Sequence, residues 1–208
     1  MEQLINRLKT ALAQTLPGAE AQYLMAPTHR QRYELRSLKA EEYKPSAVMI
    51  LFCEDNSGNM FIPLTERMTY NGVHSGQISL PGGKFDKNDG DLSSTALREC
   101  YEEIGVKEIE MIGKLTPLFI PVSNFLVHPF IGVSKIKNPQ MKNQEREVKT
   151  ILKIGLQNLL DDSIVKHGSI TVGDVVIKSP WFEVENLKVW GATAMILSEL
   201  KQIIKITS

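Results

Sequence analysis

Three glutamates within five residues, Glu99, Glu102 and Glu103, are the feature of this chain best suited to chemistry. Their i, i+3, i+4 spacing sends all three carboxylates from one face of a helix. Like charges repel at that spacing, and anions at a helix C-terminus meet the negative end of the macrodipole. Arg98 can pair with Glu102 one turn on, but one guanidinium does not balance three carboxylates. Two explanations stand. Either this is a solvated acidic helix end, or a hard divalent cation with oxygen ligands, Mg²⁺ or Mn²⁺, compensates it.

The glutamates need a helix over about residues 92–104, with capping residues before it and Gly105 as its stop. Ahead of it come the turn Pro81-Gly82-Gly83 and a loop carrying Asp86, Asp89 and Asp91. Without a Cβ, Gly82 and Gly83 let backbone approach a phosphate closely; an ordinary turn is the alternative. Strands are expected at 46–53, 60–65, 77–80, 125–134 and 148–154, with one or two in 108–121 and further candidates at 169–177 and 181–184. Pro63 marks an edge or a bulge. Amphipathic helices are expected at 2–16 and 191–203, and a short helix or turn at 156–160. Residues 17–45 form a polar arm whose His29, Arg30, Arg32 and Arg36 either touch an anionic ligand or are solvated. The order predicts an α/β fold, a mixed sheet sandwiched between helices. Residues 1–45 would be a helix and arm packed on a single unit of 46–208.

Composition narrows the partners. The 208 residues are 42% hydrophobic and 23% charged, an ordinary globular balance. Net charge is zero from 24 basic and 24 acidic residues, so nothing points to nucleic acid or a membrane surface. Cys53 in an apolar run and Cys100 inside the acidic helix read as buried free thiols of a reducing compartment. No apolar run reaches transmembrane length, and neither a signal-peptide core nor a C-terminal lipidation address is found, so the expectation is a cytoplasmic protein. A homodimer is allowed but not required.

At this point the motifs support a resemblance. Residues 98–106, REcyEEiGV, are similar at every position to the second half of the Nudix hydrolase signature. The first half matches in kind through Gly83 and Asp89, with Asp in place of Glu and one extra residue before Arg98. The run Leu64-Thr65-Glu66-Arg67, then His74-Ser75-Gly76-Gln77-Ile78-Ser79-Leu80-Pro81-Gly82-Gly83, resembles the coenzyme A pyrophosphatase subgroup. So do Pro121-Val122-Ser123-Asn124-Phe125, Glu147-Val148 and Trp190-Gly191-Ala192-Thr193-Ala194. Together they cover about residues 46–203.

The resemblance implies hydrolysis of the diphosphate of coenzyme A or its derivatives, giving 3′,5′-ADP and 4′-phosphopantetheine. Divalent ions would neutralise the shielding charge of the linkage, orient it and activate a water. It implies Glu99, Glu102 and Glu103 as metal ligands with the carbonyl of Gly82, although Glu99 could instead orient or deprotonate the water. Arg98 would hold the carboxylates through a bidentate pair. Glu147 would be a late carboxylate acting as ligand or base, with Glu145 as fallback. His74, Gln77 and Arg67, with Gly82 and Gly83, would bind the ligand; a loop cap, a strand anchor and a surface arginine are the plainer alternatives for the first three. His128 reads as a core histidine, and Trp181 and Trp190 as packing. Two rivals stand: a Nudix hydrolase for ADP-ribose, NADH or a damaged nucleotide, and a Nudix-fold binding module without catalysis. The complete set of three glutamates and the short, weakly basic arm disfavour the latter.

Overall fold

Residues 1–68 and 77–207 are described by a computed structural model; His74 lies outside them. The chain runs α1 (Glu2–Leu12), α2 (Gly18–Gln22), β1 (Lys44–Glu54), β2 (Met60–Arg67), β3 (Ile78–Ser79), β4 (Gly82–Lys84) and α3 (Leu92–Ile104). It continues through β5 (Ile109–Lys114), β6 (Leu118–Ile120), β7 (Phe125–Ser134), β8 (Val148–Gly155) and α4 (Leu156–Leu160). Last come β9 (Val165–Val172), β10 (Val175–Val184), β11 (Leu187–Trp190) and α5 (Gly191–Thr207).

The apolar run of β1 is unbroken because both its faces are covered. Ala47, Met49, Leu51 and Cys53 pack against Ala96, Cys100 and Ile104 of α3. Ile50 and Phe52 point the other way, into a larger cluster with Leu8 of α1 and Leu197 and Leu200 of α5. β1 is parallel to β7, from Lys44 opposite Phe125 to Phe52 opposite Val133, and antiparallel to β2 and β4. The sheet of eight strands is therefore mixed, with helices on both sides, as expected. Pro63 pairs with Lys153 on β8 only: β1 leaves β2 at Phe61 and β3 joins it at Thr65, so its missing N–H faces no strand. The bulge in β2 falls later, between Glu66 and Arg67.

Two expectations need correction. The first helix ends at Leu12, not at 16; Leu16 packs against the core from a loop, and Pro17 caps α2. The run 169–177 is not one strand but a hairpin, with Val172 opposite Val175 across Gly173-Asp174, and β9, β10 and β11 make a separate sheet of three strands. Polar contacts hold the arm against the rest of the chain. Fully buried Glu199 of α5 accepts from Gly18 N (3.2 Å), Gln22 Nε2 (2.9 Å) and Thr116 Oγ1 (2.7 Å), and Ser198 Oγ donates to Ala21 O (2.7 Å). Thr28 N then reaches Lys178 O at 3.0 Å, and the Tyr33 ring meets Phe119 edge-on. Cys53 and Cys100 are buried free thiols, both pushed up by desolvation, Cys53 to about 12.

Glu199 thus anchors the arm. Glu199→Ala leaves several buried donors unmatched and is expected to lower the unfolding free energy by about 3 kcal/mol in a urea titration. A loss below about 1 kcal/mol would mean that water satisfies those donors.

Candidate active site

Helix α3 is held at both ends. Asp91 caps it by accepting from Ser94 N at 2.7 Å, and Gly105, at φ 77°, closes it with its N–H on Tyr101 O at 2.8 Å. With Ala96, Cys100 and Ile104 committed to the sheet, Glu99 and Glu103 emerge along the flank that faces β4. β4 lies against β1, with Gly82 opposite Val48 and Gly83 opposite Ala47. A Cβ on Gly82 would strike the Ala47 carbonyl and the Val48 backbone, and one on Gly83 would strike the Glu99 carboxylate. The two glycines thus have different tasks: the first lets the strands meet, and the second makes room for an acid.

Arg98 spends its guanidinium entirely on oxygen. It donates through Nε and Nη2 to the two oxygens of Asp89 (2.7 and 3.0 Å), through Nη1 to Glu99 (2.8 Å) and Glu102 (2.9 Å), and through Nη2 to Lys84 O (3.3 Å). The expected bidentate pair exists, but its partner is Asp89 and not a glutamate. The extra residue before Arg98 is absorbed in a 3-10 turn, Lys87–Asp89, which delivers the shorter Asp to the arginine. Thr95 Oγ1 and Asp86 N also donate to Asp89, at 2.7 and 3.0 Å. Arg98 holds the Asp89 carboxyl far below the usual carboxylate range.

One formal charge of Arg98 is therefore matched by Asp89 before any glutamate is counted. Burial raises Glu99, with Arg98 opposing and the charges of Glu102 and Glu147 adding to the rise. Glu103 is 3% exposed and is pushed up to about 7, by burial first and by Glu99 and Glu147, against the pull of Arg67 and the Gly82 N–H. Its Oε2 accepts from Gly82 N at 3.3 Å and lies 3.4 Å from Thr65 Oγ1. Glu102 is half exposed. Glu147 stands in the exposed turn before β8, its carbonyl accepting from the N–H of Met68, the residue after β2, at 2.9 Å, and its charge bears on both Glu99 and Glu103.

Among the described residues no three His, Cys, Asp or Glu side chains close into a cage. The donors nevertheless fit a hard divalent cation. They are all oxygen, they carry surplus negative charge, and they leave open the several positions that Mg²⁺ keeps for water.

Beside Gly82 and Gly83 opens a cavity of about 920 Å³. Its walls come from β1 (Ser46, Val48), from β10 (Val175, Val176), from Trp190 to Thr193, and from the arm between Pro27 and Tyr33. Arg67 and Gln77 line it, and the Gln77 carbonyl also accepts from Arg67 N at 3.0 Å. Sequence reasoning had no place for Thr65 or Lys84, although both sit in quoted runs or beside them. Arg30 it left open; the residue lines the cavity, whereas Arg32 pairs with Glu20 in the open. His128 is partly buried on β7, and burial, with Lys114 nearby, lowers its pKa.

Comparison with known proteins agrees with this fold. A family model, the NUDIX domain, matches residues 43–159. The uncharacterized Nudix hydrolase NudL of Yersinia pestis (strain Pestoides F) is 35% identical over 149 residues, 69% of this chain and 72% of that one. Among solved structures, the Nudix hydrolase RenU of Mycobacterium smegmatis shares the fold at TM-score 0.52 and 12% identity, covering 88% of this chain and 94% of that one. A NUDIX hydrolase from Nitrosomonas europaea does so at 0.52 and 16%, covering 86% and 75%.

The glycine pair can be separated by experiment. Gly82→Ala, blocked by backbone, should cost about 3 kcal/mol of stability. Gly83→Ala, blocked by a carboxylate that can swing aside, should cost less than about 1 kcal/mol yet remove most hydrolytic turnover. Equal stability losses for the two would contradict this assignment.

The pH dependence of stability has a definite sign. Glu103 titrates at about 7 in the fold against 4.5 unfolded, so its contribution is full below about 4.5 and is lost as pH rises through about 7. Asp89, held low, stays ionised throughout that window. In EDTA the melting temperature should therefore fall from about pH 5 to about pH 7.5, and fall less for Glu103→Gln. Identical slopes for the two proteins would place the titrating group elsewhere.

Proposed function

The chain belongs to the Nudix family and is a Nudix hydrolase, and from that premise we propose that its substrate is coenzyme A or a coenzyme A derivative. The products would be 3′,5′-ADP and 4′-phosphopantetheine or its acylated form. One observation carries this choice. The cavity that starts at the Gly82–Gly83 turn continues between apolar walls from Val48 and Val127 to Val175, Val176 and Ile177, room suited to a pantetheine arm beyond the diphosphate. The coenzyme A pyrophosphatase-like run between Leu64 and Gly83 supplies that cavity with Arg67, Gln77 and Ser79.

Nudix hydrolases use divalent metal ions, commonly Mg²⁺ or Mn²⁺. In this chain Glu99, Glu102 and Glu103 would hold the ion with the carbonyl of Gly82, and Glu147 would act as a late ligand or base. Bound there, the ion would neutralise the diphosphate and acidify a water. The residues of the chain supply the rest. Asp89 and Arg98 fix the rotamers of Glu99 and Glu102 before substrate arrives, so no ordering cost falls on the reaction. Arg67, beside Glu103, faces the cavity and meets the negative charge of the linkage. Gln77 would orient the ligand, and His74, outside the described residues, is assigned to the same task. Residues 1–45 are part of the site in this reading, because Pro27 to Tyr33 close one wall. No helix among the described residues is long and apolar enough to cross a membrane, and the two free thiols suit the reducing cytoplasm.

The test is incubation with Mg²⁺ and a panel of coenzyme A, acetyl-coenzyme A, ADP-ribose and NADH, with products resolved by chromatography. Release of 3′,5′-ADP from the first two, at higher kcat/KM than any cleavage of the others, is expected. Cleavage of ADP-ribose without cleavage of coenzyme A would overturn the substrate assignment. Glu103→Gln in parallel should turn over at least about a hundredfold more slowly, the scale of losing one electrostatic stabiliser.

A further inference from the structure

β2 is buried from Phe61 to Thr65, and Thr65 is the one polar side chain in that run. Its relative exposure is 0%. Valine has the same shape and suits a buried strand at least as well, so a hydroxyl there needs a partner that uses it. Two residues lie within reach. Ser79, opposite Thr65 on β3, places its Oγ at 3.2 Å and its carbonyl oxygen at 3.4 Å from Thr65 Oγ1. Glu103 of α3 places its Oε2 at 3.4 Å.

The sheet accounts for the meeting of Glu103 with β2. β7 runs along one edge of β1, from Lys44 to Phe52. The other edge is shared: β4 takes Ser46 to Val48, and β2 takes Cys53 and Glu54. Glu103 Oε2 reaches both, accepting from Gly82 N of β4 at 3.3 Å and facing the Thr65 hydroxyl of β2. One buried carboxylate oxygen therefore joins β2 to β4.

The hydroxyl hydrogen of Thr65 is better placed on Glu103 than on Ser79. Thr65 has a single hydrogen to give, and a carboxylate accepts more strongly than a peptide carbonyl. Ser79 Oγ can donate its own hydrogen to Thr65 Oγ1, so the direction Ser79 to Thr65 to Glu103 uses both hydroxyls. The contacts on Oε2 are long, 3.3 and 3.4 Å, against 2.7 Å for the Thr116 hydroxyl on Glu199. They orient the Glu103 carboxylate without saturating it, which leaves it capacity for a cation.

We propose that Thr65 is a positioning residue of the metal site: its hydroxyl holds Glu103 Oε2 toward the sheet and so fixes the plane of that carboxylate for the cation. This rests on the reading of Glu103 as a metal ligand and is independent of which diphosphate is cleaved.

Two pairs of proteins isolate the hydroxyl: the parent against Thr65→Val, and Thr65→Ser against Thr65→Ala. Members of the first pair share their shape, and members of the second differ by the oxygen alone. Titration with Mn²⁺, read from the electron paramagnetic resonance signal of the free ion, gives affinity without substrate, and melting in EDTA gives stability. Within each pair the hydroxyl-free member should bind Mn²⁺ about tenfold more weakly, the scale of losing a group that orients a metal ligand, and Thr65→Ser should stay within about threefold of the parent. A hydroxyl that only ties β2 to β3 would lower the melting temperature and leave Mn²⁺ affinity unchanged, and that result would overturn the proposal. If Thr65→Val does not fold, the Ser and Ala variants make the same comparison. Glu103→Gln in the same titration separates premise from proposal. If it binds Mn²⁺ like the parent, Glu103 is not a ligand and both fall. If it binds weakly while the hydroxyl-free variants bind like their partners, the role of Thr65 falls alone.

Discussion

The site depends on one constraint: more carboxylates are crowded around the end of α3 than the local cations can neutralise. Arg98 would be the natural counter-charge for Glu99 and Glu102, but Asp89 engages it through both oxygens. What remains is an arginine that acts as a brace rather than as a neutraliser. It fixes the direction of two glutamates while leaving the cluster negative. Burial then separates the acids by character: Glu103 is buried and pushed up, and Glu102 stays half exposed. Electrostatics alone would favour a divalent cation sharing such an arrangement.

Everything around the helix serves that geometry. The sheet buries Ala96, Cys100 and Ile104, which turns Glu99 and Glu103 toward β4. β4 then has to approach within a distance that only glycine permits at two successive positions, once against backbone and once against a carboxylate. On the other face, α5 carries Glu199, a second buried carboxylate, but this one is matched by donors from Gly18, Gln22 and Thr116. The contrast is instructive. A buried acid with its donors in place holds structure together, and a buried acid short of them is available for chemistry.

Much of this was legible in the chain. The unbroken apolar run of β1, the caps of α3 and the spacing of the three glutamates are local properties, so strand, helix and acid cluster could be read from residues alone. The 125–134 strand and the 156–160 helix were readable for the same reason. The role of Asp89 was not, because it turns on how a 3-10 turn uses one extra residue. The contacts that hold the arm were not readable, because they are polar and tertiary, through Gln22, Thr28 and Glu199, and leave no hydrophobic period. The β9–β10 hairpin was missed although its signal was present: Gly173-Asp174 is a two-residue turn, and Gly173 adopts φ 59°. The apolar alternation on either side carried across it and masked the break. The cavity could not be foreseen, since its walls come from the arm, β1, β10 and α5, which only the fold brings together.

The central claim is that the braced but unneutralised acids of α3 bind a divalent cation. Titration with Mn²⁺, followed by the electron paramagnetic resonance signal of the free ion, measures this without any substrate. The parent protein should deplete the free signal, and Glu103→Gln should bind at least about tenfold more weakly while melting no earlier, the scale expected for losing one ligand carboxylate. Equal Mn²⁺ binding by the two folded proteins would contradict the claim.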